Sequence, residues 1–160
     1  MIVRELTVAD QPFLWEALYY AIHVLPGEAA PDRDIVNSPE LACYVENWMQ
    51  VDGDQGVVAE SDGTPVGAAW LRCWTTERRG FGYVDSDTPE LSVAVLPGFR
   101  DQGRGTRLLT QLMTNAAQRF AGVSLSVSET NPACRLYQRL GFEPTGKCKD
   151  DSFTMIRRFR

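Results

Sequence analysis

Apolar and polar residues alternate over residues 2–6, which predicts a first strand. Asp10 then offers a helix N-cap with Pro12 close behind, and Phe13, Leu14, Leu18, Ala21 and Ile22 share one helical face that Pro26 must end. Residues 24–37 hold Pro26, Gly27, Pro31 and Asn37 and read as a loop. Ser38 and Pro39 restart a helix with a stripe of Leu41, Tyr44, Val45, Trp48 and Met49, closed by Asp52 and Gly53. Two strand-like runs, 56–60 and 66–74, flank the turn cluster Ser61, Asp62 and Gly63 and read as a hairpin. The polar stretch 75–89 is a loop, and a loop of that length in a compact domain is more often functional than idle. Further on, 123–127 reads as a strand, Asn131 and Pro132 open a short helix through Leu140 with Gly141 at its C′ position, and 142–145 and 153–159 are two last strand candidates.

The chain is organised around residues 90–113. Leu91, Val93 and Val95 alternate as a strand, Pro97 and Gly98 break it, and Leu108, Leu109, Leu112 and Met113 make the stripe of a helix. Between strand and helix stand Arg100, Asp101, Gln102, Gly103, Arg104 and Gly105. Glycines there let backbone N–H groups crowd towards one point, and the unpaired N–H groups and positive dipole end of the helix face the same point. Such a turn binds an anion, phosphate above all, although a Gly-rich turn also occurs where only chain geometry demands it. Leu108 occupies the place of the third glycine of a dinucleotide fingerprint, and the Gly-Lys-Ser/Thr of a P-loop is absent.

What Arg100 to Gly105 does match is Arg/Gln-x-x-Gly-x-Gly, and there the sequence resembles the GNAT superfamily of acyl-CoA-dependent N-acyltransferases. A second stretch, Asn131-Pro132-Ala133-Cys134-Arg135-Leu136-Tyr137-Gln138-Arg139-Leu140-Gly141-Phe142, is similar to that family's Asn…Tyr-x-x-x-Gly-Phe signature. The element order β-α-α-β-β-β-α-β-α-β-β extends the resemblance over nearly the whole chain. It implies the GNAT fold, an α/β (α+β) architecture. Its central mixed, mostly antiparallel sheet has six to seven strands, splays at strands 4 and 5, and is flanked by four helices.

Length and composition narrow the reading. At 160 residues the chain is sized for a single domain, 1–160. No apolar run approaches the ~20 residues of a membrane span, and the N-terminus lacks the pattern of a signal peptide, so a cytoplasmic protein with no membrane partner is expected. A net charge of −5 argues against a general nucleic-acid binder. It weakly favours cationic substrates, or merely keeps the protein soluble. Cys43, Cys73, Cys134 and Cys148 are scattered, and with His23 the single histidine they offer no zinc site; reduced thiols and no metal are expected.

The resemblance assigns chemistry to positions. It implies acetyl-CoA as acyl donor, its pyrophosphate held by Arg100, Asp101, Gln102, Gly103, Arg104, Gly105 and Thr106. Pantetheine would run along the backbone of Val93, Ala94 and Val95 and past Asn131. An acceptor ammonium has a pKa of about 10.4 and must lose a proton, and Glu90 stands where relatives carry the candidate base, acting directly or through water. Tyr137 stands where the family's tyrosine assists departure of the thiolate. Each residue also has a plain structural reading: an exposed carboxylate, a packed aromatic, a helix cap. His23, Glu28 and Asp32 near the first helix end, and Trp70, Trp74 and Tyr83, are further candidates for the acceptor side, whereas Arg78 and Arg79 are expected to face solvent. The expected activity is direct acetyl transfer to a primary amine of a small molecule, peptide or protein; the alternative is a non-catalytic acyl-CoA-binding or regulatory module. A last strand near the sheet edge leaves room for a homodimer.

Overall fold

In the computed structural model, which describes residues 1–149 and 151–159, seven strands follow the alternating segments. They are β1 (Ile2–Glu5), β2 (Gln55–Ser61), β3 (Thr64–Arg72), β4 (Glu90–Val95), β5 (Gly122–Ser128), β6 (Glu143–Lys149) and β7 (Ser152–Arg158). The helices are α1 (Gln11–Ala21), α2 (Pro39–Ala42), α3 (Arg104–Ala116) and α4 (Ala133–Arg139). All strands join one sheet in the order β1-β2-β3-β4-β5-β7-β6, and of its pairings only β4 with β5 is parallel. This is the GNAT architecture that the resemblance implied. No helix of the described residues is long and apolar enough to cross a membrane.

Alternation in β4 divides the molecule into two layers. Leu91 faces a cluster built from Leu108, Leu109, Leu112 and Met113 of α3, Leu125 and Val127 of β5, and Tyr137 of α4. Its neighbour Glu90 points the other way, as does Ala94, into a cluster that holds Leu14 and Leu18 of α1, Tyr44, Trp48, Trp70 and Trp74. The stripe of α3 is fully covered, and burying each leucine contributes about 1.5–3 kcal/mol, which fixes the helix and therefore the turn that precedes it.

The second helix departs most from the sequence pattern. The stripe predicts one helix from Pro39 until Asp52 and Gly53 close it, yet α2 ends after Ala42, and the chain continues as turns in which Asn47 (φ 57°) and Met49 (φ 71°) are left-handed. The reason is Arg72. Buried in β3, it donates to the carbonyls of Cys43 (3.0 Å) and Glu46, so these oxygens bond a side chain instead of continuing a helix ladder. Its guanidinium also donates twice to Asp54, at 3.2 and 2.8 Å, and Asp54 accepts a third bond from the Met49 N–H at 2.8 Å. Asp10 does not cap α1; its carboxylate accepts from Arg4 and from the Thr7 N–H and closes a 3-10 turn ahead of the helix. Inside the expected loop 24–37 lies a 3-10 helix, Arg33–Asn37. The last strand lies near the sheet edge as expected, one place in: β7 stands between β5 and the outermost β6.

Asp54→Ala should therefore strand a buried guanidinium and lower stability by about 3–5 kcal/mol in urea denaturation. A loss under about 1 kcal/mol would show that the pair does not hold the 43–50 segment.

Candidate active site

β4 and β5 pair at one point, Glu90 opposite Ser124, and then diverge. Beyond that bridge the β5-facing edge of β4, Ser92 to Val95, has no strand partner among the described residues. Val93 and Val95 are half-buried along this opening.

At its far end lies the anion turn. Gly103 adopts φ 77° as the residue before α3, a conformation a non-glycine residue takes only with strain, and no side chain caps the helix. Gly105, inside the first turn, faces open space: a Cβ there would meet nothing within 4 Å. The loop is braced from within, Arg100 to the Val95 carbonyl (2.8 Å) and Arg104 to the Phe99 carbonyl (3.2 Å) and to Gln102, while Arg104 Nε is buried with no partner among the described residues. Asp101 is left-handed (φ 60°), and Asp101, Gln102 and Thr106 are exposed around the turn. Uncapped N–H groups, an orphaned guanidinium donor and a glycine face left empty fit a phosphate-bearing ligand. Asn131 stands beyond the end of β5, its Oδ1 accepting the Ala133 N–H at 2.9 Å, so its helix-start role is fulfilled.

Glu90 is not the solvated carboxylate of the plain reading. It is 3% exposed and bonded by three donors: the Tyr44 hydroxyl to Oε2 at 2.6 Å, and Trp74 Nε1 and the Gly82 N–H to Oε1, both at 2.9 Å. Burial pushes its pKa up from 4.5 to about 7, and the donors hold it from rising further. Arg72, its cross-strand neighbour in register, supplies no compensating charge because its guanidinium is turned to Asp54. The cover over Glu90 is the segment 80–82. Cβ atoms would not fit there: at Gly80 one would come within 2.6 Å of the Tyr44 hydroxyl, and at Gly82 within 2.7 Å of the β5 backbone at Leu125. Ser124 completes the seal by donating to the Gly82 carbonyl at 2.7 Å.

Tyr137 lies across the sheet from Glu90, in the α3 layer, with its ring edge-on to Phe142 at 5.9 Å. Burial pushes its pKa to about 12, so the hydroxyl keeps its proton, and it makes no hydrogen bond among the described residues. On the Glu90 face a cavity of about 550 Å³ opens between the aromatic pair Phe81 and Tyr83, the floor residues Ser126 and Thr154, and the β6–β7 hairpin with Lys147, Lys149 and Asp151. Of the acceptor-side candidates, Tyr83 alone lines it. Trp70 is core, bonded to the Tyr44 carbonyl, and Trp74 serves Glu90. His23 meets Thr130 at 3.3 Å near the end of β5, Glu28 and Asp32 are exposed elsewhere, and Arg78 and Arg79 are exposed as expected.

Sequence reasoning missed Tyr44, Gly82 and Ser124, the residues that enclose Glu90. One signal was present: Gly80-Phe81-Gly82, two glycines in a loop otherwise free to carry side chains.

The site is thus a sheet parted between two parallel strands, with a buried carboxylate at the closed end of the gap and an uncapped Gly-rich helix start at the open end. Residues 52–144 match the acetyltransferase (GNAT) domain, and the chain belongs to that family. Similar solved structures include the ribosomal-protein-alanine N-acetyltransferase of Brucella melitensis (24% identity, TM-score 0.68, covering 99% of this chain and 100% of that one). Another is a putative acetyltransferase of Salmonella typhimurium with its cofactor acetyl-CoA (24%, 0.67, 100% and 94%). A third is the PaiA N-acetyltransferase of Thermoplasma acidophilum in complex with coenzyme A (18%, 0.70, 99% and 100%). No curated protein matches the chain by sequence.

A carboxyl group whose folded pKa lies above its unfolded value stabilises the fold at low pH, and that stability is lost as pH rises from 4.5 through about 7. At about 1.4 kcal/mol per unit the loss is about 3 kcal/mol. Glu90→Gln should remove this component, so the difference in urea stability between variant and wild type should change in the variant's favour across that window. Parallel pH profiles would show that the carboxyl is not held neutral by its surroundings.

Proposed function

We propose that the protein is an N-acetyltransferase that moves an acetyl group directly from acetyl-CoA to a primary amine. The observation that carries this reading is the lip between β4 and β5, open beyond Glu90 and ending at the empty face of Gly105. In this reading Arg100 to Thr106 hold the pyrophosphate through the first-turn N–H groups of α3 and the guanidinium of Arg104. The unpaired edge of Val93, Ala94 and Val95 bonds the pantetheine arm and the thioester oxygen, Asn131 flanks the arm, and no metal is required. The acceptor amine enters from the opposite face, through the cavity bounded by Phe81, Tyr83 and the β6–β7 hairpin. At about 550 Å³ that cavity suits a small molecule or the end of a peptide, and both lysines of the chain stand on its wall.

Glu90 takes the proton that the amine must lose. Its pKa near 7 suits a base that is ionised at neutral pH yet still basic enough to accept. The segment 80–82 separates it from the cavity, so the proton reaches it through a bridging water or the Tyr44 hydroxyl and not by direct contact. The amine attacks the thioester carbon and the C–S bond breaks; Tyr137, protonated and without a hydrogen-bond partner among the described residues, donates its proton to the departing sulfur, and the second proton shed by the nitrogen as the amide forms passes to solvent, from which Tyr137 is reprotonated.

A thiol-release screen over amines with acetyl-CoA tests the activity, and absence of release with every amine would favour the non-catalytic module. Gly105→Ala tests the donor site. A Cβ there meets nothing in the protein, and alanine is the better helix former by about 1 kcal/mol, so stability should hold or rise while acetyl-CoA affinity falls at least about tenfold. Unchanged affinity in calorimetry would remove the site.

Tyr137→Phe keeps the packing on Phe142 and loses only the hydroxyl. Turnover should drop by roughly 10²-fold or more with acetyl-CoA affinity intact, because a donor to a developing thiolate acts on the transition state. A full rate would end the acid role.

A further inference from the structure

Tyr44 belongs neither to the turn before α3 nor to the sheet, yet it reaches both Glu90 and the cavity wall. Its hydroxyl donates to Glu90 Oε2 at 2.6 Å and accepts the Phe81 N–H at 2.8 Å. Its ring lies parallel to the Phe81 ring (6.5 Å, 12°) and edge-on to Trp74 (5.1 Å). Phe81 is 48% exposed and lines the cavity. One side chain thus touches both the carboxylate and the wall against which an acceptor would pack.

Building on the reading of Glu90 as the base, we propose that Tyr44 is its positioning residue, coupling the protonation of Glu90 to the closure of the Phe81 wall of the acceptor cavity. The surroundings of Glu90 leave this task to Tyr44 alone among ionisable groups. Arg72 from β3 is bonded to Asp54 and to two carbonyls. The Cys43 thiol, from the same segment as Tyr44, donates to the Glu40 carbonyl, and burial keeps it neutral. From the loop come Trp74 and the Gly82 N–H, neither of which titrates, and from β5 comes Ser124, bonded to Gly82. Tyr44 itself stays protonated, its pKa raised by burial and then by the Glu90 charge. It therefore remains a donor throughout, and its bond is strong to a carboxylate and weak to a carboxylic acid. When Glu90 gains a proton, the Tyr44, Trp74 and Gly82 bonds weaken together, and the segment 80–82 is left held by Ser124 at the Gly82 carbonyl and by the Phe81 N–H on a Tyr44 hydroxyl that is itself more loosely tied to Glu90.

Nitrogen-15 NMR on the whole protein reads this without turnover. In the wild type the Trp74 indole N–H and the Phe81 and Gly82 amides should titrate with one shared midpoint, and Glu90→Gln should abolish it. Tyr44→Phe should move the midpoint of the Trp74 and Gly82 signals up by about one pH unit, since a donor that favours the ionised form is gone, and the pH profile of kcat/KM should move with it. An unmoved midpoint overturns the inference, as does a wild-type Phe81 amide indifferent to the titration. The Phe81 measurement needs no variant, and it decides the matter if Tyr44→Phe does not fold. A midpoint that moves while the kcat/KM profile stays fixed upholds the coupling and overturns the base role of Glu90 instead.

Discussion

Two parallel strands that touch at a single residue pair organise this molecule. At Glu90 and Ser124 the sheet is continuous, with the Ser124 N–H donating to the Pro89 carbonyl at 2.9 Å; a few residues on it is open. The arms are held apart by what packs behind them, β3 along the whole of β4 and β7 along the whole of β5. Because each arm has its full set of partners on its outer side, the gap exposes backbone polar groups only on the inner edges, which makes it a place where a ligand can complete the hydrogen bonding of a sheet.

The closed end of that gap solves an electrostatic problem in an unusual direction. A buried carboxylate and a buried guanidinium stand opposite each other in register, and an ion pair between Glu90 and Arg72 would have been the simplest outcome. It would also have left a carboxylate with a low pKa, of little use for accepting a proton at neutral pH. Asp54 takes the guanidinium instead, and Glu90 is left with neutral donors alone. The same Arg72 shortens α2 and turns the chain at Cys43, and this brings the Tyr44 hydroxyl to Glu90. A single buried cation thereby shapes the surroundings of a carboxylate it does not bond.

The order of strands and helices was legible because alternation and 3.6-residue stripes are local, and the turn before α3 was legible because glycines at fixed spacing have few uses. What encloses Glu90 was not. Tyr44 fell on a helical stripe with Leu41, Val45, Trp48 and Met49, of which all but the exposed Met49 pack on the same layer, and nothing local says that a side chain 28 residues later in sequence, Arg72, interrupts that helix. The plain reading of Glu90 as an exposed strand-end carboxylate failed for a related reason: exposure depends on where the 80–82 segment folds, and glycines reveal flexibility without revealing what lies beneath them. Trp74 and Trp70 differ likewise, since two aromatics on one strand and its extension look alike until their N–H groups find partners.

The outermost strand carries a consequence for the molecule's behaviour in company. Every residue of β6 is exposed, and an open row of N–H and C=O groups invites a neighbouring chain to add itself to the sheet. Yet Pro144 lacks a donor, the register with β7 shifts between Pro144 and Cys148 around a left-handed Gly146, and Lys147 and Lys149 place like charges on the strand. Two approaching copies would meet a kinked, positively charged border with a missing hydrogen bond. The edge that helps enclose the cavity is thus also ill suited to self-addition.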